Sequence, residues 1–269
     1  MGLKSVVRFR RADLKPLHVD VIPARSDNYI FLLYSSDYEE AIVVDPCSAD
    51  PVLEKLKERN VKLTAIWNTH HHHDHIGGNL ALKEKTGCYV VGSKLDRSRI
   101  PGIDVELVGG AFFEFAGRQI QVLDTPGHTN GAISFWVKDD ELLFCGDTLF
   151  SLGCGRLFEG TSLEMWNSLE KLKELPSSTK IYCAHEYTEA NGIFALTIEP
   201  ENEALKNRLN EVKKLRLRGH ASIPSTLAKE LDSNPFLRAD SLSVRRHLGM
   251  EGAKDWEVFA AIRSLKDKF

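Results

Sequence analysis

The sequence predicts a layered α/β fold followed by a helical C-terminal region. Short runs rich in Val, Ile and aromatic residues alternate with helical patterns between residues 18 and about 183. Strand patterns stop after about residue 185, and patterns with apolar residues three and four positions apart continue towards the end. Because strands and helices alternate, we expect helices to cover the faces of the sheets.

Nine runs are predicted as strands because each combines β-branched and aromatic residues over a short length. In chain order they are HVDVIP, YIFLLY, AIVVD, TAIWNT, CYVVG, RQIQVLD, AISFWV, ELLFCGD and KIYCAH. Helices are predicted where apolar residues recur at helical spacing. These are residues 50–60, 78–86, 162–174 and 201–218, with PSTLAKEL and DWEVFAAIRSLKDK nearer the end. The change of pattern predicts two domains, residues 1–185 and residues 186–269.

Composition indicates an ordinary globular protein of 269 residues with a net charge of -3. That charge favours neither nucleic acid nor an anionic membrane as a partner. Five scattered cysteines without a CxxC pair indicate a reducing compartment, so we expect a cytoplasmic protein. We also expect a monomer. No apolar run approaches the length of about 18 residues that a membrane span needs. The leading MGLKSVVRFRR is interpreted as an irregular lead-in, although its basic composition is also compatible with a transit peptide.

The densest chemical signal is THHHHDH at residues 69–75, which holds five of the ten histidines. Imidazole is the commonest metal ligand among side chains, so the run predicts a metal site. His70 and His72 lie two positions apart and project to the same side of an extended segment. Asp74 and His75 follow at an expected turn. The pattern HxHxDH therefore offers two pairs of ligands and indicates two metals.

Three isolated residues complete this predicted site, because each follows a β-rich run at a sheet edge. They are His128 in DTPGHTNG, Asp147 in FCGDTLF and His185 in IYCAHEYT. With the run they supply five histidines and two aspartates, enough for two ions that share a carboxylate and a solvent molecule. Nitrogen and oxygen ligands with open positions are typical of a hydrolytic centre. His71 and His73 occupy the alternate positions, and we expect them at the surface or supporting the ligands.

Five ordered motifs make the chain resemble the metallo-β-lactamase superfamily over nearly its whole length. They are Asp45 in VVDP, the HxHxDH run, His128 in GHT, Asp147 in GDT and His185 in AHE. The resemblance implies an αββα four-layer sandwich. It also implies a first metal bound by His70, His72 and His128, a second bound by Asp74, His75 and His185, and Asp147 between them. Asp45 would orient the loops without binding metal.

Two further stretches resemble glyoxalase II, the hydroxyacylglutathione hydrolases. They are GDTLFSLGCGRLFEGT at 146–161, and IPSTLAKELDSNPFLR at 223–238 with a terminal RSLKDKF. This resemblance implies hydrolysis of S-lactoylglutathione and related S-acylglutathione thioesters by a metal-bridging hydroxide that Asp74 and Asp147 help to hold. It further implies that the substrate contacts Arg156, Phe158, Tyr187, Arg263 and Lys266. Phe158 stands where animal members of the family carry Tyr, and Arg156 replaces a Lys.

Two other functions remain open at this point. A persulfide dioxygenase of the same superfamily uses one iron held by two histidines and an aspartate, but it lacks the tail that contains NPFLR. A metal-binding protein without catalysis is disfavoured by a complete set of seven ligands. The metals themselves are expected to be two divalent ions, zinc first, with iron or manganese as alternatives.

Overall fold

Two six-stranded sheets form the centre of the molecule. The computed structural model describes residues 14–269, so the expectation for the basic N-terminal lead-in lies outside the described residues. The strands of the first sheet, in spatial order, are β1 (His18–Ala24), β2 (Asn28–Tyr34), β3 (Glu40–Val44), β4 (Lys62–Trp67), β5 (Tyr89–Ser93) and β6 (Val105–Leu107). β1, β2 and β3 pair antiparallel, whereas β3 to β6 run parallel.

The second sheet draws its strands from the later part of the chain. They are β7 (Phe112–Phe115), β8 (Arg118–Asp124), β9 (Ile133–Val137), β10 (Leu142–Gly146), β13 (Lys180–Cys183) and β14 (Ser225–Thr226). A separate small hairpin consists of β11 (Leu149–Phe150) and β12 (Gly153–Cys154). The spatial order of the sheet is β14-β13-β10-β9-β8-β7, and its one parallel pair is formed by β10 and β13.

Helices lie outside the two sheets and make up most of the C-terminal region. They are α1 (Asp50–Arg59), α2 (His73–Ile76), α3 (Asn79–Thr86), α4 (Ser162–Lys173), α5 (Thr188–Ile198), α6 (Glu203–Leu217), α7 (Leu227–Ser233), α8 (Leu242–Leu248) and α9 (Asp255–Lys268). All nine predicted strands and all six predicted helices are present. The helices α2, α5 and α8 and the strands β6, β7, β11, β12 and β14 were not predicted.

The side chains of β2 alternate between two hydrophobic layers, as a strand with a side-chain period of two requires. Phe31 points between the sheets, where Trp67, Phe135 and Phe144 are also buried. Leu32 points to the opposite face and packs in a second cluster with residues of α1 and α3. Burial of each such side chain stabilises the fold by about 1.5–3 kcal/mol relative to exposure.

The second sheet is covered by helices from both parts of the chain. Trp166 of α4 and Phe259 of α9 are buried with their ring centroids 6.0 Å apart, in the same cluster as the strand residue Ile120. The order helix, sheet, sheet, helix confirms the predicted αββα four-layer sandwich and its C-terminal helical region.

Two local features explain why the sequence pattern missed elements after residue 185. Ser225 and Thr226 of β14 pair with β13, but two residues are too few to carry a strand signal. Gly192 interrupts the helical pattern of α5, and it is small for a packing reason. A Cβ atom there would lie 2.7 Å from Cδ1 of Leu209, so the glycine allows α5 and α6 to approach closely.

The C-terminal region is tied to the β11–β12 hairpin by buried polar groups. Glu230 is fully buried and accepts hydrogen bonds from the Ser151 hydroxyl at 2.9 Å and the Leu152 amide at 2.7 Å. Asn234 donates to the carbonyls of Phe150 and Gly153. These bonds fix the chain directly after Asp147. Among residues 14–269, no helix is both long and apolar enough to cross a membrane.

Candidate metal centre

The predicted site residues converge because two pairs of parallel strands end at the same edge of the sandwich. Asp45 follows β3 and His70 follows β4, its parallel neighbour. Asp147 and His185 follow the parallel strands β10 and β13 in the second sheet. An isolated bridge between Asn28 and His185 joins the two sheets at this edge.

The expected turn after His72 is a single turn of helix, α2. His72 occupies the N-cap position, and its carbonyl accepts a hydrogen bond from the His75 amide at 2.9 Å. Gly77 and Gly78 follow, and neither has a positive φ. A Cβ atom on Gly77 would lie only 2.6 Å from the Cys47 carbonyl oxygen. The glycines are therefore needed for close backbone approach, which holds Asp74 and His75 against the site.

Two of the three groups of potential ligand atoms correspond to the two sets that the family resemblance implied. Within each group the atoms lie within 4.8 Å of one another; the groups are His70, His72 and His128, and Asp74, His75 and His185. Asp147 lies between them. Its Oδ1 is 3.5 Å from Nε2 of both His75 and His185, and its Oδ2 is 3.4 Å from Nε2 of His128.

Hydrogen bonds to the outer ring nitrogens fix the orientation of three histidines. Nδ1 of His75 faces Asp45 Oδ2 at 3.0 Å, and Nδ1 of His185 faces Asp27 Oδ1 at 2.8 Å. Nδ1 of His128 lies 2.8 Å from a backbone carbonyl, which can only accept. In the neutral form that binds a metal, each Nδ1 is therefore the protonated donor, and each Nε2 presents its lone pair to the site.

Asp45 also orients His70, through Thr69. The Thr69 hydroxyl and amide donate to the two carboxylate oxygens of Asp45 at 2.6 Å and 2.8 Å. Since that hydroxyl hydrogen is used, the Thr69 oxygen is free to accept from Nδ1 of His70 at 3.1 Å. A third group of possible ligands includes Asp45 with His70 and His75. Because both of its oxygens serve these neighbours, Asp45 is better suited to orienting ligands.

The polar atoms left over at the centre fit a bound cation. Nε2 of His70, Nε2 of His75 and Oδ1 of Asp147 are buried without a hydrogen-bond partner among the described residues. Nδ1 of His72 also points here, 3.0 Å from Nε2 of His128. Buried groups of this kind are normally paired, so unpartnered atoms converging on one point indicate metal ligands. The nitrogen and oxygen donors suit zinc, iron or manganese.

Burial and the attraction between histidine and aspartate side chains control the protonation of the cluster. Burial lowers the pKa of His70 well below its ordinary value. Burial acts to raise the pKa of Asp147, but nearby His75 and His185 outweigh it and lower the pKa to about 2. Burial acts to lower the pKa of His185, whereas Asp147 and Asp74 raise it to about 11. Without a metal the cluster retains a proton on His185, which a bound cation would displace.

Two aromatic side chains stand at the mouth of the centre, one beside each ligand group. Phe158 is 63% exposed, and its ring centroid lies 5.6 Å from that of His72 and 5.2 Å from that of His128. Tyr187 stacks on His185 with centroids 4.8 Å apart and planes parallel within 1°. Both residues suggested by the family resemblance therefore border the opening.

The three basic residues suggested for substrate binding lie close together around Asp267. Arg263 is only 5% exposed, donates to the Cys154 carbonyl at 2.9 Å and pairs with Asp267 at 2.8 Å. Arg156 is exposed, with Nε 3.9 Å from Asp267. Burial and the charges of Arg263 and Arg156 lower the pKa of Lys266. The cations form one electropositive region with an acidic residue inside it.

Several supporting residues were missed in the sequence. Asn28 donates to Asp74 Oδ2 at 3.1 Å, and Asp27 holds His185 from 158 positions away along the chain. Asp27 lies in the short connection between β1 and β2, and Asn28 is the first residue of β2. No local pattern there indicates proximity to a histidine. Asp267 was likewise missed, although its spacing of four from Arg263 is typical of a helical ion pair.

Comparison with known proteins agrees with this fold. Residues 25–185 match the model of the metallo-beta-lactamase superfamily. A crystal structure of ETHE1 from Myxococcus xanthus superposes with a TM-score of 0.66 at 25% identity, covering 93% of this chain and 90% of that one. The BLEG-1 B3 metallo-beta-lactamase gives a TM-score of 0.63 at 24% identity, covering 82% and 99%. The fold and the histidine cluster thus define a metallo-β-lactamase superfamily protein.

The C-terminal region narrows this class to one family. Residues 186–269 match the model described as hydroxyacylglutathione hydrolase C-terminus. A hydroxyacylglutathione hydrolase from Methylococcus capsulatus is 53% identical, covering 94% of this chain and 99% of the relative. One from Synechococcus sp. is 50% identical, covering 92% and 98%. One from Rhizobium etli is 46% identical, covering 95% and 100%. The chain belongs to the hydroxyacylglutathione hydrolase family.

Proposed function

We propose that the protein hydrolyses S-(2-hydroxyacyl)glutathione thioesters, with S-lactoylglutathione giving lactate and glutathione as the representative reaction. This reaction is the second step of methylglyoxal detoxification. The observation that carries the proposal is a two-part cluster of buried histidines and aspartates that opens beside a group of cations. The cluster of histidines and aspartates suits an activated water, and the cations suit the carboxylates of a glutathione carrier.

The ligand roles follow the two groups. His70, His72 and His128 would hold one ion, and Asp74, His75 and His185 the other, with Asp147 in contact with both. When bound, a pair of divalent ions supplies a hydroxide nucleophile near neutral pH and polarises a carbonyl oxygen. We propose zinc in both positions, since nitrogen-rich sites of this kind suit it, with iron or manganese as the alternatives.

The protein residues contribute orientation and charge. Asp74 is held by Asn28, and Asp147 is buried among histidines, so both carboxylates stay ionised and can accept a hydrogen bond from the attacking oxygen. The ordinary pKa of a thiol is about 8.5, so a glutathione thiolate leaves without a strong general acid. No Ser or Cys nucleophile is needed.

Substrate binding is assigned to the mouth and the electropositive region. Phe158 and Tyr187 would border the acyl group and the thioester, and Arg156, Lys266 and Arg263 would favour the carboxylates of glutathione. Because Arg263 is buried against Asp267, the exposed Arg156 is the cation best placed to contact substrate. On this proposal residues 1–185 provide the metal ligands, and residues 186–269 provide most of the carrier-binding groups.

Hydrolysis of S-lactoylglutathione against a panel of acyl thioesters, on protein of measured metal content, tests the proposal. We expect S-lactoylglutathione to be among the best substrates and activity to disappear with a chelator. A metal-replete protein inert towards every thioester would contradict it. Oxygen consumption with glutathione persulfide would instead support the dioxygenase alternative.

We also propose a monomeric protein of the cytoplasm. The five cysteines are all free and buried in the described part of the chain, as expected in a reducing compartment. Size-exclusion chromatography with light scattering tests the oligomeric state, and fractionation of the source cells tests the location.

A further inference from the structure

Four charged or titratable side chains next to the metal centre have no role in the proposed reaction. They are His71, Asp96, Arg99 and Glu159, which we call the Arg99 network. We propose that the Arg99 network is a positioning device, which ties the loop of residues 155–161 to the histidine run and so sets the shape of the thioester site. This inference rests on the proposed function for its kinetic consequence, although the tie itself can be tested without activity.

The inner part of the network fixes the ring of His71. Asp96 is completely buried, accepts from Arg99 Nη2 at 2.5 Å, and lies 3.2 Å from Nδ1 of His71. Nη1 of Arg99 lies 3.2 Å from Nε2 of His71. A neutral ring that donates from Nδ1 to Asp96 and accepts at Nε2 from Arg99 satisfies all of these contacts. His71 is therefore anchored between two charged partners.

Asp96 has no room to move away from these partners. A Cβ atom on Gly131 would lie 2.1 Å from Oδ1 of Asp96, so the carboxylate rests directly against that backbone. A buried carboxylate must be paired to remain charged, and Arg99 is the guanidinium that pairs it. The position of Arg99 is thereby fixed from the interior of the protein.

The outer part of the network holds the loop. Glu159 accepts hydrogen bonds from the guanidinium of Arg99 and from the Asn130 amide, the latter at 2.7 Å. The residue before it is Phe158, whose ring borders the metal centre and whose amide donates to the His128 carbonyl at 3.2 Å. A shift of Glu159 would therefore move Phe158 relative to the centre.

The same loop also carries a substrate-binding cation on the proposed function. The Arg156 carbonyl accepts from Nδ1 of His128 at 2.8 Å, so the loop contacts a ligand on one side and Asp267 on the other. Loosening the loop would disturb an aromatic wall and a cation together. All seven proposed ligands lie outside residues 155–161, so the metal sites would be affected only through the hydrogen bond to His128. The expected signature is weaker substrate binding with intact metal sites.

The chain offers a closely matched ion pair for comparison. Arg59 binds Asp20 through Nε at 2.6 Å and through Nη2 at 3.0 Å, at a distance from the centre on β1 and α1. The exposed fractions of these two side chains are 37% for Arg59 and 19% for Asp20. The corresponding values for Arg99 and Glu159 are 36% and 24%. The two pairs differ mainly in the segments that they connect, because Glu159 lies in the loop 155–161 and Asp20 lies on β1.

The first test compares Glu159→Ala with Asp20→Ala in steady-state kinetics on S-lactoylglutathione. We expect Glu159→Ala to raise KM about five-fold with kcat within about two-fold, and Asp20→Ala to leave both unchanged. Metal content per chain should equal that of the wild type in both variants. Glu159→Gln should give an intermediate KM, because the amide oxygen still accepts from Asn130 but carries no charge for Arg99.

The second test is hydrogen exchange of the backbone amides of residues 155–161, which needs no substrate. We expect exchange in Glu159→Ala to be faster by about ten-fold, and exchange in Asp20→Ala to match the wild type.

If Glu159→Ala resembles Asp20→Ala in both KM and exchange, the network does not position the loop. Loss of metal in Glu159→Ala would also overturn the inference, since the network would then serve metal retention. If the wild type fails to hydrolyse S-lactoylglutathione, the proposed function fails, while the exchange result still decides whether the tie exists.

Discussion

Oδ2 of Asp45 lies 3.0 Å from Nδ1 of His75, and this bond turns the opposite nitrogen of the ring towards Asp147. Asp45 has φ of +50°, in the left-handed region that Asp and Asn tolerate better than most residues. Its other oxygen accepts from the Thr69 amide at 2.8 Å. A single carboxylate, itself outside the cluster, thus orients two neighbouring parts of it.

Asp45→Asn should weaken metal binding by about 10- to 100-fold without unfolding the protein. Asn keeps the backbone conformation but supplies only one acceptor oxygen, so either His75 or Thr69 loses its partner. The measurement is metal titration after chelator treatment. Asp50→Asn is a suitable control, because the Asp50 side chain is 86% exposed at the start of α1. Equal affinities in the two variants would contradict the orienting role.

Replacement of ligands should remove activity, and the histidine run contains its own control. His70→Ala deletes a buried nitrogen that has no hydrogen-bond partner among the described residues, so we expect kcat to fall by at least about 100-fold. His73→Ala, three positions along, changes an exposed histidine and should leave kcat near the wild type. Asp147→Asn should also lower the bound metal, measured per chain. Activity of His70→Ala within a few-fold of the wild type would disprove the dinuclear scheme.

The basic residues near the mouth should divide into two classes. Lys266→Ala and Arg156→Ala should raise KM more than they lower kcat, because they act far from the bond that breaks. Arg263→Glu should instead lower the free energy of unfolding by about 3–5 kcal/mol, because it places a buried carboxylate beside Asp267. Urea unfolding and kinetics on the same preparations separate these effects. An unchanged unfolding midpoint for Arg263→Glu would contradict a structural role for Arg263.

Glu186 should make stability depend on pH. Burial acts to raise its pKa, but hydrogen bonds from Ser222 and Tyr29 outweigh burial, so the folded pKa lies below the ordinary value of 4.5. The stabilisation is therefore present above that value and is lost as the pH falls through the folded pKa. Glu186→Gln should lower the free energy of unfolding at neutral pH by about 1.5–3 kcal/mol.

The difference between wild type and Glu186→Gln should shrink as the pH falls below 4.5 and through the lower pKa of the folded state, because the wild-type carboxylate then becomes protonated. Urea unfolding of the chelated proteins at several pH values checks this, with chelator present so that metal loss does not contribute. Glu189→Gln, on an acidic residue in the first turn of α5, provides a comparison. A difference that stays constant with pH would exclude the carboxylate as its source.

Local patterns were sufficient for most of the sandwich. The strand YIFLLY was identifiable because its apolar residues are continuous, and β2 is indeed buried on both faces. The seven proposed ligands were identifiable because His and Asp at strand ends are rarely explained by packing. Short or irregular elements were not identifiable, since β14 has two residues and α5 contains Gly192 at its contact with Leu209.

The sequence by itself determined the layered fold and the chemical nature of the cluster, because both depend on residue types at short spacings. The tertiary structure decided which groups orient the proposed ligands and which groups hold the neighbouring loop. Asp27 reaches His185 across 158 positions, and Glu159 reaches Arg99 across 60, so no local pattern could pair them. Burial is also a property of the folded chain, and it is what distinguishes the buried Arg263 from the exposed Arg156.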